Sequence, residues 1–539
     1  MTNAEQDVCD YLVIGAGSAG SVVASRLSED PNVRVTLVEA GSDPTGFWVP
    51  IPLGIAKLFA GDRLAWRFHT VPQEAMKGQR IFWPRGKALG GSSSINGMVW
   101  TRGDRKTYDH FASLGCDGWG WDEMQPYLNK IESFEGAIDQ RRGRMGPINV
   151  SMVNADDDLT QAFIKSLNET GVASNADGND GDQYGVWHLQ FSILNGRRCS
   201  TYTAYLKPAL NRPNLRVLKD TLAERLILDG RRVVGAQLSG EGGQFSVKAR
   251  REVILCAGSL KTPHILELSG IGQAERLRSL GIDVVHDAPE LGENLSDHVN
   301  VRMSYRARQA ITLNDVMASR IKMLLCGMRY MLFRKGFLAI PPATVHAITP
   351  LIERDRSSTV KIQYSYISGH DRYANTPQAG VDKYSGFNIG TFQIYPKSRG
   401  FVHASSPDPK VDPDMSANYF ADEYDRQLAV RQLNMIRLLA KQSPLASEIV
   451  EETRPGKDLI DESDLLDYAL ESGQTSWHQV GSARMGSDDR SVVDLDLRVR
   501  GVEGVRVVDA SVWPEIPASN TNAPTIALAE RAVDLIRRA

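Results

Sequence analysis

Cysteine is scarce and scattered: Cys9, Cys116, Cys199, Cys256 and Cys326 are an odd number with no CxxC pair among them, so neither a disulfide framework nor a metal site such as zinc is indicated. No sign of charge dominates, with 62 Lys and Arg against 65 Asp and Glu. A surface so balanced does not recruit nucleic acid as a whole, and any charged partner must be met locally. No uninterrupted apolar run reaches the roughly 18 residues that a membrane span needs. The first residues, MTNAEQDVCDYLVIGAG, show no basic start, apolar h-region or small-residue cleavage site before the first strand, and a cytoplasmic location is the expectation. The sequon at Asn168-Glu169-Thr170 is then a chance match. What remains is a globular composition spread over 539 residues, too many for one compact core.

The clearest element lies at the N-terminus. An apolar strand from Tyr11 to Ile14 runs into GAGSAG, Gly15 to Gly20, followed by a helical run to Leu27 and a second strand from Arg34 to Val38 that ends at Glu39. In such a βαβ unit Gly15 permits the tight turn, Gly17 lets backbone approach a pyrophosphate, and Gly20 lets the helix lie close on the sheet. The helix N-terminus faces the anion. Glu39, 19 residues after Gly20, is placed to accept from a ribose 2′-hydroxyl, which disfavours a 2′-phosphate.

Farther along, LAERLILDGRRVVGAQL reads as a hairpin turning at Asp229-Gly230, and a strand from Glu252 to Cys256 ends in Ala257-Gly258. Between Val301 and Ser472, VKIQYSYI and FNIGTFQIY carry the period of half-buried antiparallel strands, while Ala421 to Gln442 turns helical. GVRVVDAS and APTIALAERAVDLIRR then give a strand and a helix again. The expected fold is α/β, α+β overall: a dinucleotide-binding domain from 1–155, 211–300 and 473–539, and a substrate domain with an antiparallel sheet and helices from 156–210 and 301–472.

Five blocks carry a family resemblance. WPRGKALGGSSSINGMVWTRGDRKTYD (Trp83 to Asp109) and GSLKTPHILELSGIG (Gly258 to Gly272) resemble the two signatures of the glucose-methanol-choline oxidoreductases. LGENLSDH, WHQVGSARMG and VVDASVWPEIPASNTNAPT resemble three further blocks of that family, in its order. The resemblance implies FAD, a substrate-domain sheet over the flavin, and oxidation of an alcohol by hydride transfer to flavin N5. Gly90, Gly91 and the serines after them permit backbone to lie against a planar, charged ligand, and Arg85 offers a planar fork to phosphate. Asn96, Gly97, Met98 and Val99 are expected along the flavin ring. Ser18, Ala19, Ala40, Ala223, Ala257, Asp509, Ala510 and Pro524 complete the set of candidates for the cofactor site. Some relatives tether the flavin through a histidine just before the asparagine of the first block; here that position is Ile95, so the FAD is expected to be noncovalent.

An alcohol releases hydride readily only as its alkoxide develops, so the reaction needs a base. His478 matches the family's base in WHQVGSARMG, and imidazole is neutral near physiological pH. The other nine histidines, His298 included, are expected to be structural. The family's second catalytic position falls on Asn522, 44 residues after His478; asparagine can donate to the alcohol oxygen but cannot be a base. Asn-Ala-Pro also suits a helix start, with Pro524 fitting the first position. Trp477 is expected either as a wall favouring an apolar or aromatic primary alcohol or as core packing. Some segments resemble alkanol, choline and polyethylene glycol dehydrogenases, others furfural-alcohol and aryl-alcohol oxidases.

Oxygen and a quinone-type carrier both stay open as electron acceptor, and so do two other functions: an FAD-containing lyase of the oxynitrile-lyase kind and a nicotinamide-dependent dehydrogenase. RIKMLLCGMRYMLFRK, 320–335, has five cations and no acid, with apolar residues at helical spacing. Three readings apply: a buried helix with snorkelling ends, a methionine-rich lid over the site, or a surface helix resting on an anionic membrane at its inner face.

Overall fold

The computed structural model describes residues 8–59, 61–137, 141–152, 157–308, 312–370 and 380–538. Two seven-stranded sheets dominate it. The first runs in the order Leu215–Leu218, Val35–Val38, Val8–Ile14, Gly243–Leu255, Arg232–Gly240, Leu222–Asp229, with Val505–Val507 also pairing Gly243–Leu255. Its nucleotide half is parallel. These strands are buried along most of their length because helices cover them, which is why they read as continuous apolar runs. Leu222–Asp229 and Arg232–Gly240 form the expected hairpin around Asp229-Gly230. The helix Ser18–Leu27 follows the glycine turn directly. A Cβ on Gly20 would stand 1.8 Å from the carbonyl oxygen of Gly15, so only glycine lets this helix approach its strand so closely. The last helix, Asn522–Arg538, packs on the first. Pro524 is its third residue rather than its first; the N–H groups of a helix's first turn have no partner within the helix, so proline is tolerated there.

The second sheet is antiparallel, in the order Ile449–Arg454, Val299–Ala307, Gly386–Gln393, Thr359–Ser365, Ala343–Pro350, Gly185–His188, with Gln474–Thr475 also pairing Val299–Ala307. Period-two alternation divides its faces. Val301, Met303, Ile362, Tyr364, Phe387 and Ile389 point to the back, into one core with Phe163 of the helix Asp158–Glu169 and Leu433 and Ile436 of the helix Glu423–Ala440. Asn300, Arg302, Lys361, Gln363, Ser365 and Asn388 point to the front, toward the first sheet's loops. The mixed α/β class expected from the sequence is the one found.

The stretch 320–335 departs from its buried-helix reading. Arg320–Phe333 is a helix, but Tyr330 is its only buried residue, while Ile321, Leu324 and Leu332 are 73%, 64% and 69% exposed. The back of the sheet is already covered by helices Asp158–Glu169, Leu313–Met317, Glu423–Ala440 and Glu462–Ser472, and the helix Arg320–Phe333 reaches that core only through the partly buried Cys326. The helix is anchored near its C-terminal end, where the Tyr330 hydroxyl donates to the Gly196 carbonyl at 3.0 Å. Among the described residues no helix is long and apolar enough to cross a membrane.

Candidate active site

A cavity of about 380 Å³ lies between the loops of the first sheet and the front of the second. At one end it is lined by Gly15, Gly17, Ser18, Ala19, Glu39 and Ala40, then by Ala223, Ala257, Asp509 and Ala510. Glu39 accepts from the backbone N–H of Ala16 and of Gly41, both at 2.9 Å, and burial pushes its carboxyl up to about 7. Asp509 accepts from Gly258 N–H at 2.9 Å and the Thr262 hydroxyl at 2.6 Å, fixing the turn after the Gly243–Leu255 strand.

The second glycine loop closes on the first. Gly91 has φ +50°, and a Cβ there would stand 2.6 Å from Gly17 Cα. Gly91, Asn96, Gly97, Met98 and Val99 line the cavity; Gly90 and Pro524, also expected at the cofactor site, are not part of its lining. Buried Arg198 braces this loop, donating to Asn96 Oδ1 at 2.8 Å and to the Asn96 and Ser93 carbonyls. Arg85 lines the cavity too, but it donates to the Trp477 carbonyl at 2.9 Å and so supports the loop that carries the candidate base.

That loop is organised by Asp297. Its Oδ1 accepts from the backbone N–H of His478 at 2.7 Å and of His298 at 2.9 Å. Its Oδ2 accepts from the Thr475 hydroxyl at 2.6 Å, the Gln479 amide at 2.7 Å and the Tyr419 hydroxyl. So many donors on one buried carboxylate fix the backbone on both sides of the base. Trp477 sits at φ +62° between them and packs on Phe59, ring centroids 5.4 Å apart, beside Ile55 and Ile95.

The ring contacts of His478 set its tautomer. His298 Nε2 donates to the Ile394 carbonyl at 2.9 Å, which leaves His298 Nδ1 a bare acceptor. It lies 2.9 Å from His478 Nδ1, so the His478 proton sits on Nδ1 and its Nε2, on the cavity side, is an acceptor. Burial first, then the positive groups Lys361 and Arg85 together with His298, hold His478 well below the ordinary imidazole range and keep it neutral. His298, expected to be structural, packs directly against His478 and fixes the orientation of its ring. Its signal in the sequence was its place beside an aspartate in a family block, which does not reveal what it faces.

Two asparagines meet at this point. Asn520 Nδ2 donates to His478 Nε2 at 3.0 Å, and its Oδ1 accepts from Lys361 Nζ at 3.4 Å. Asn522, the residue singled out in the sequence, lines the same cavity with its Oδ1 accepting from the Ser18 hydroxyl at 2.9 Å. Asn520 was missed because a count of residues from His478 cannot tell which of two neighbouring asparagines the start of the last helix turns toward the ring. All five cysteines are free, and among the described residues no cluster of three or more His, Cys, Asp or Glu could hold a metal ion.

A family model described as GMC oxidoreductase matches residues 9–300, and a second of the same description matches residues 396–529. The chain is 35% identical over 538 residues to an alcohol dehydrogenase (acceptor) of Pseudomonas putida, covering 98% of this chain and 96% of that protein. It is 36% identical over 533 residues to an oxygen-dependent choline dehydrogenase of Vibrio vulnificus, covering 98% and 94%. Among solved structures it resembles pyridoxine 4-oxidase from Mesorbium loti, at TM-score 0.87 and 28% identity over 98% of this chain and 99% of that one. It also resembles an Aspergillus oryzae RIB40 formate oxidase studied for its FAD modification, at TM-score 0.90 and 27% identity over 99% and 98%.

The buried histidines predict how stability depends on pH. His264 and His298 are pushed down to about 3, and His346 and His478 lie well below their ordinary value, burial being the first cause in each. Unfolded, each titrates near ~6.5. Below that pH the unfolded chain takes up protons that the native state refuses, so stability falls on acidification, by up to about 1.4 kcal/mol per pH unit for each such histidine. The thermal midpoint should drop steadily between pH 7 and pH 5; a midpoint unchanged over that range would contradict neutral burial of these four rings.

Proposed function

Because the chain belongs to the GMC oxidoreductase family, we propose that it oxidises an alcohol to the aldehyde, with His478 as base and noncovalently held FAD as cofactor. The observation that carries the reading is the His298–His478 contact, which leaves His478 Nε2 an unprotonated acceptor, met by Asn520, in a cavity between two glycine loops and a second sheet. The residues present suit FAD: Gly15, Gly17 and Gly91 leave room for close backbone approach, the helix Ser18–Leu27 presents its N-terminus, and Glu39 keeps lone pairs for a ribose hydroxyl. Bound there, the flavin would supply the hydride acceptor. On this reading 1–155, 211–300 and 473–539 carry the cofactor, and 156–210 and 301–472 close over the substrate.

His478 Nε2 takes the hydroxyl proton as the carbon loses hydride. Asn520 donates to that nitrogen before substrate arrives and to the alcohol oxygen afterwards. Asn522, whose amide oxygen is held by Ser18, turns its nitrogen to the same oxygen from the helix start. Trp477, Phe59 and Ile55 wall off water. Ile95, buried among them at the tethering position, has no nucleophile to bond a flavin.

The exposed helix Arg320–Phe333 is proposed to rest on an anionic bilayer. Its apolar side chains are bare, and residues 320–335 bring five cations and no acid. A second copy of the same face would oppose cation to cation, whereas anionic headgroups complement it. With five free cysteines, the cytoplasmic side is the location this reading favours. The acceptor, oxygen or a quinone-type carrier, is left to experiment: anaerobic reduction by an alcohol followed by air separates them.

Three outcomes follow. His478→Ala should slow anaerobic flavin reduction by about 100-fold or more while the protein stays yellow. Asn520→Ala and Asn522→Ala should each cost about tenfold, since positioning is lost and the base remains; an equal loss in all three variants would remove His478 as base. Acid or heat should release intact FAD, and a flavin that stays with the precipitate would exclude noncovalent binding. The double variant Met328→Ser, Leu332→Ser should keep its melting temperature but lose sedimentation with phosphatidylserine vesicles. If it sediments like the parent, the helix is not the membrane contact.

A further inference from the structure

The front of the second sheet is a poor wall for a purely apolar alcohol. Six polar side chains from three adjacent strands, Asn300, Arg302, Lys361, Gln363, Ser365 and Asn388, face the cavity. The opposing wall is apolar, built on Ile55, Phe59, Ile95 and Trp477. Burying polar groups against hydrocarbon costs free energy that a substrate with matching groups recovers.

Lys361 is the extreme case. Its residue is 2% exposed, and Nζ reaches one polar atom, Asn520 Oδ1, at the long distance of 3.4 Å, with the Phe392 ring centroid at 5.3 Å. Among the described residues no carboxylate pairs with it within ion-pair distance. An ammonium offers three N–H groups, so most of its donor capacity is directed at the cavity. His346, across the strand pair from Gln363 on the same face, is fully buried with neither ring nitrogen hydrogen-bonded. The wall has donors in excess and no acid to neutralise them. Asn520 alone bridges Lys361 and the base, so an anion at Lys361 lies within one small molecule's length of the hydroxyl at His478.

We infer that Lys361 anchors a carboxylate carried by the alcohol substrate, so that the site selects hydroxy acids with a primary alcohol over their neutral counterparts. The inference rests on the alcohol-oxidation reading above and narrows it: the apolar wall takes the body of the molecule, and the sheet takes its charged end. Burial pushes Lys361 down to about 7, and an arriving carboxylate would restore the ammonium by pairing with it. The apolar or aromatic preference expected from Trp477 then describes one wall and not the whole cavity.

The test compares the holoenzyme with Lys361→Met and Lys361→Arg, using 4-(hydroxymethyl)benzoate and benzyl alcohol as reductants and an artificial dye as the electron acceptor that lets the flavin turn over. The wild type should favour the carboxylate in kcat/KM by about tenfold or more, the worth of a hydrogen bond to a charged group. Lys361→Met should bring that ratio down by at least tenfold, mostly through KM, and Lys361→Arg should keep it above one. Benzoate, which has no hydroxyl to oxidise, should perturb the flavin spectrum of the wild type on binding and do so far more weakly in Lys361→Met. A wild type that favours benzyl alcohol, or a ratio unchanged in Lys361→Met, would overturn the anchor. If neither alcohol bleaches the flavin, the oxidation reading fails, and benzoate binding still decides: equal binding by wild type and Lys361→Met disposes of the carboxylate site as well.

Discussion

Asp297 is the fixed point around which the site is arranged. A carboxylate buried to 3% exposure would be pushed toward its neutral form by desolvation alone, and five donors within hydrogen-bond reach offset that cost. Two of the five are the backbone N–H groups of His298 and His478, from segments 180 residues apart. The carboxylate therefore holds the two backbones together, and the Ile394 carbonyl, by taking the His298 Nε2 proton, sets the tautomer of both rings. On the proposed reading the buried network fixes the His478 ring in advance, and only Asn520 has to change partner when substrate arrives. His478 also has no carboxylate of its own to lean on: its ring partner is a neutral imidazole that is itself held by a carbonyl.

The electrostatics of the cavity follow from this choice. Burial first, then His298, Lys361 and Arg85, lower the affinity of His478 for a proton, which keeps it neutral but, on the proposed reading, would disfavour the imidazolium formed when it takes a proton. A carboxylate at Lys361 would cancel part of that positive field. On the proposed reading substrate binding and base strength would then be coupled through one lysine, a bound carboxylate raising the basicity of His478.

The parts of this arrangement that could be read in the sequence are those set by local spacing. GAGSAG between an apolar strand and a helix, with Glu39 at the end of the next strand, requires only neighbours along the chain, and the structure builds it as read. The alternation in Thr359–Ser365 and Gly386–Gln393 gave antiparallel strands. What it did not give is which face looks at the cavity, and so the polar row Lys361, Gln363, Asn388 carried no message until the back of the sheet was seen to be filled by helices. The stretch 320–335 shows the same limit from the other side: helical periodicity predicts an apolar face but not whether any core surface is left to receive it. Asn520 and Asn522 differ by two residues, and the angle at which a helix begins decides which one meets His478.

The last helix closes the argument about how the site comes together. Its Glu530 is completely buried and receives Arg26 at 2.8 Å, Lys130 at 2.9 Å and the Tyr205 hydroxyl at 2.9 Å, while Asn522 at its start accepts from Ser18 in the first turn of the nucleotide helix. Chain beginning and chain end are thus one packed unit, and the residues that touch His478 and the glycine loop arrive on the final segment. Contacts this distant in sequence carry a large loop-closure cost, which the packing of the intervening chain reduces. The cavity's polar groups cannot be satisfied by their native partners until the C-terminal helix docks, so docking of that helix couples the completion of the fold to the completion of the site.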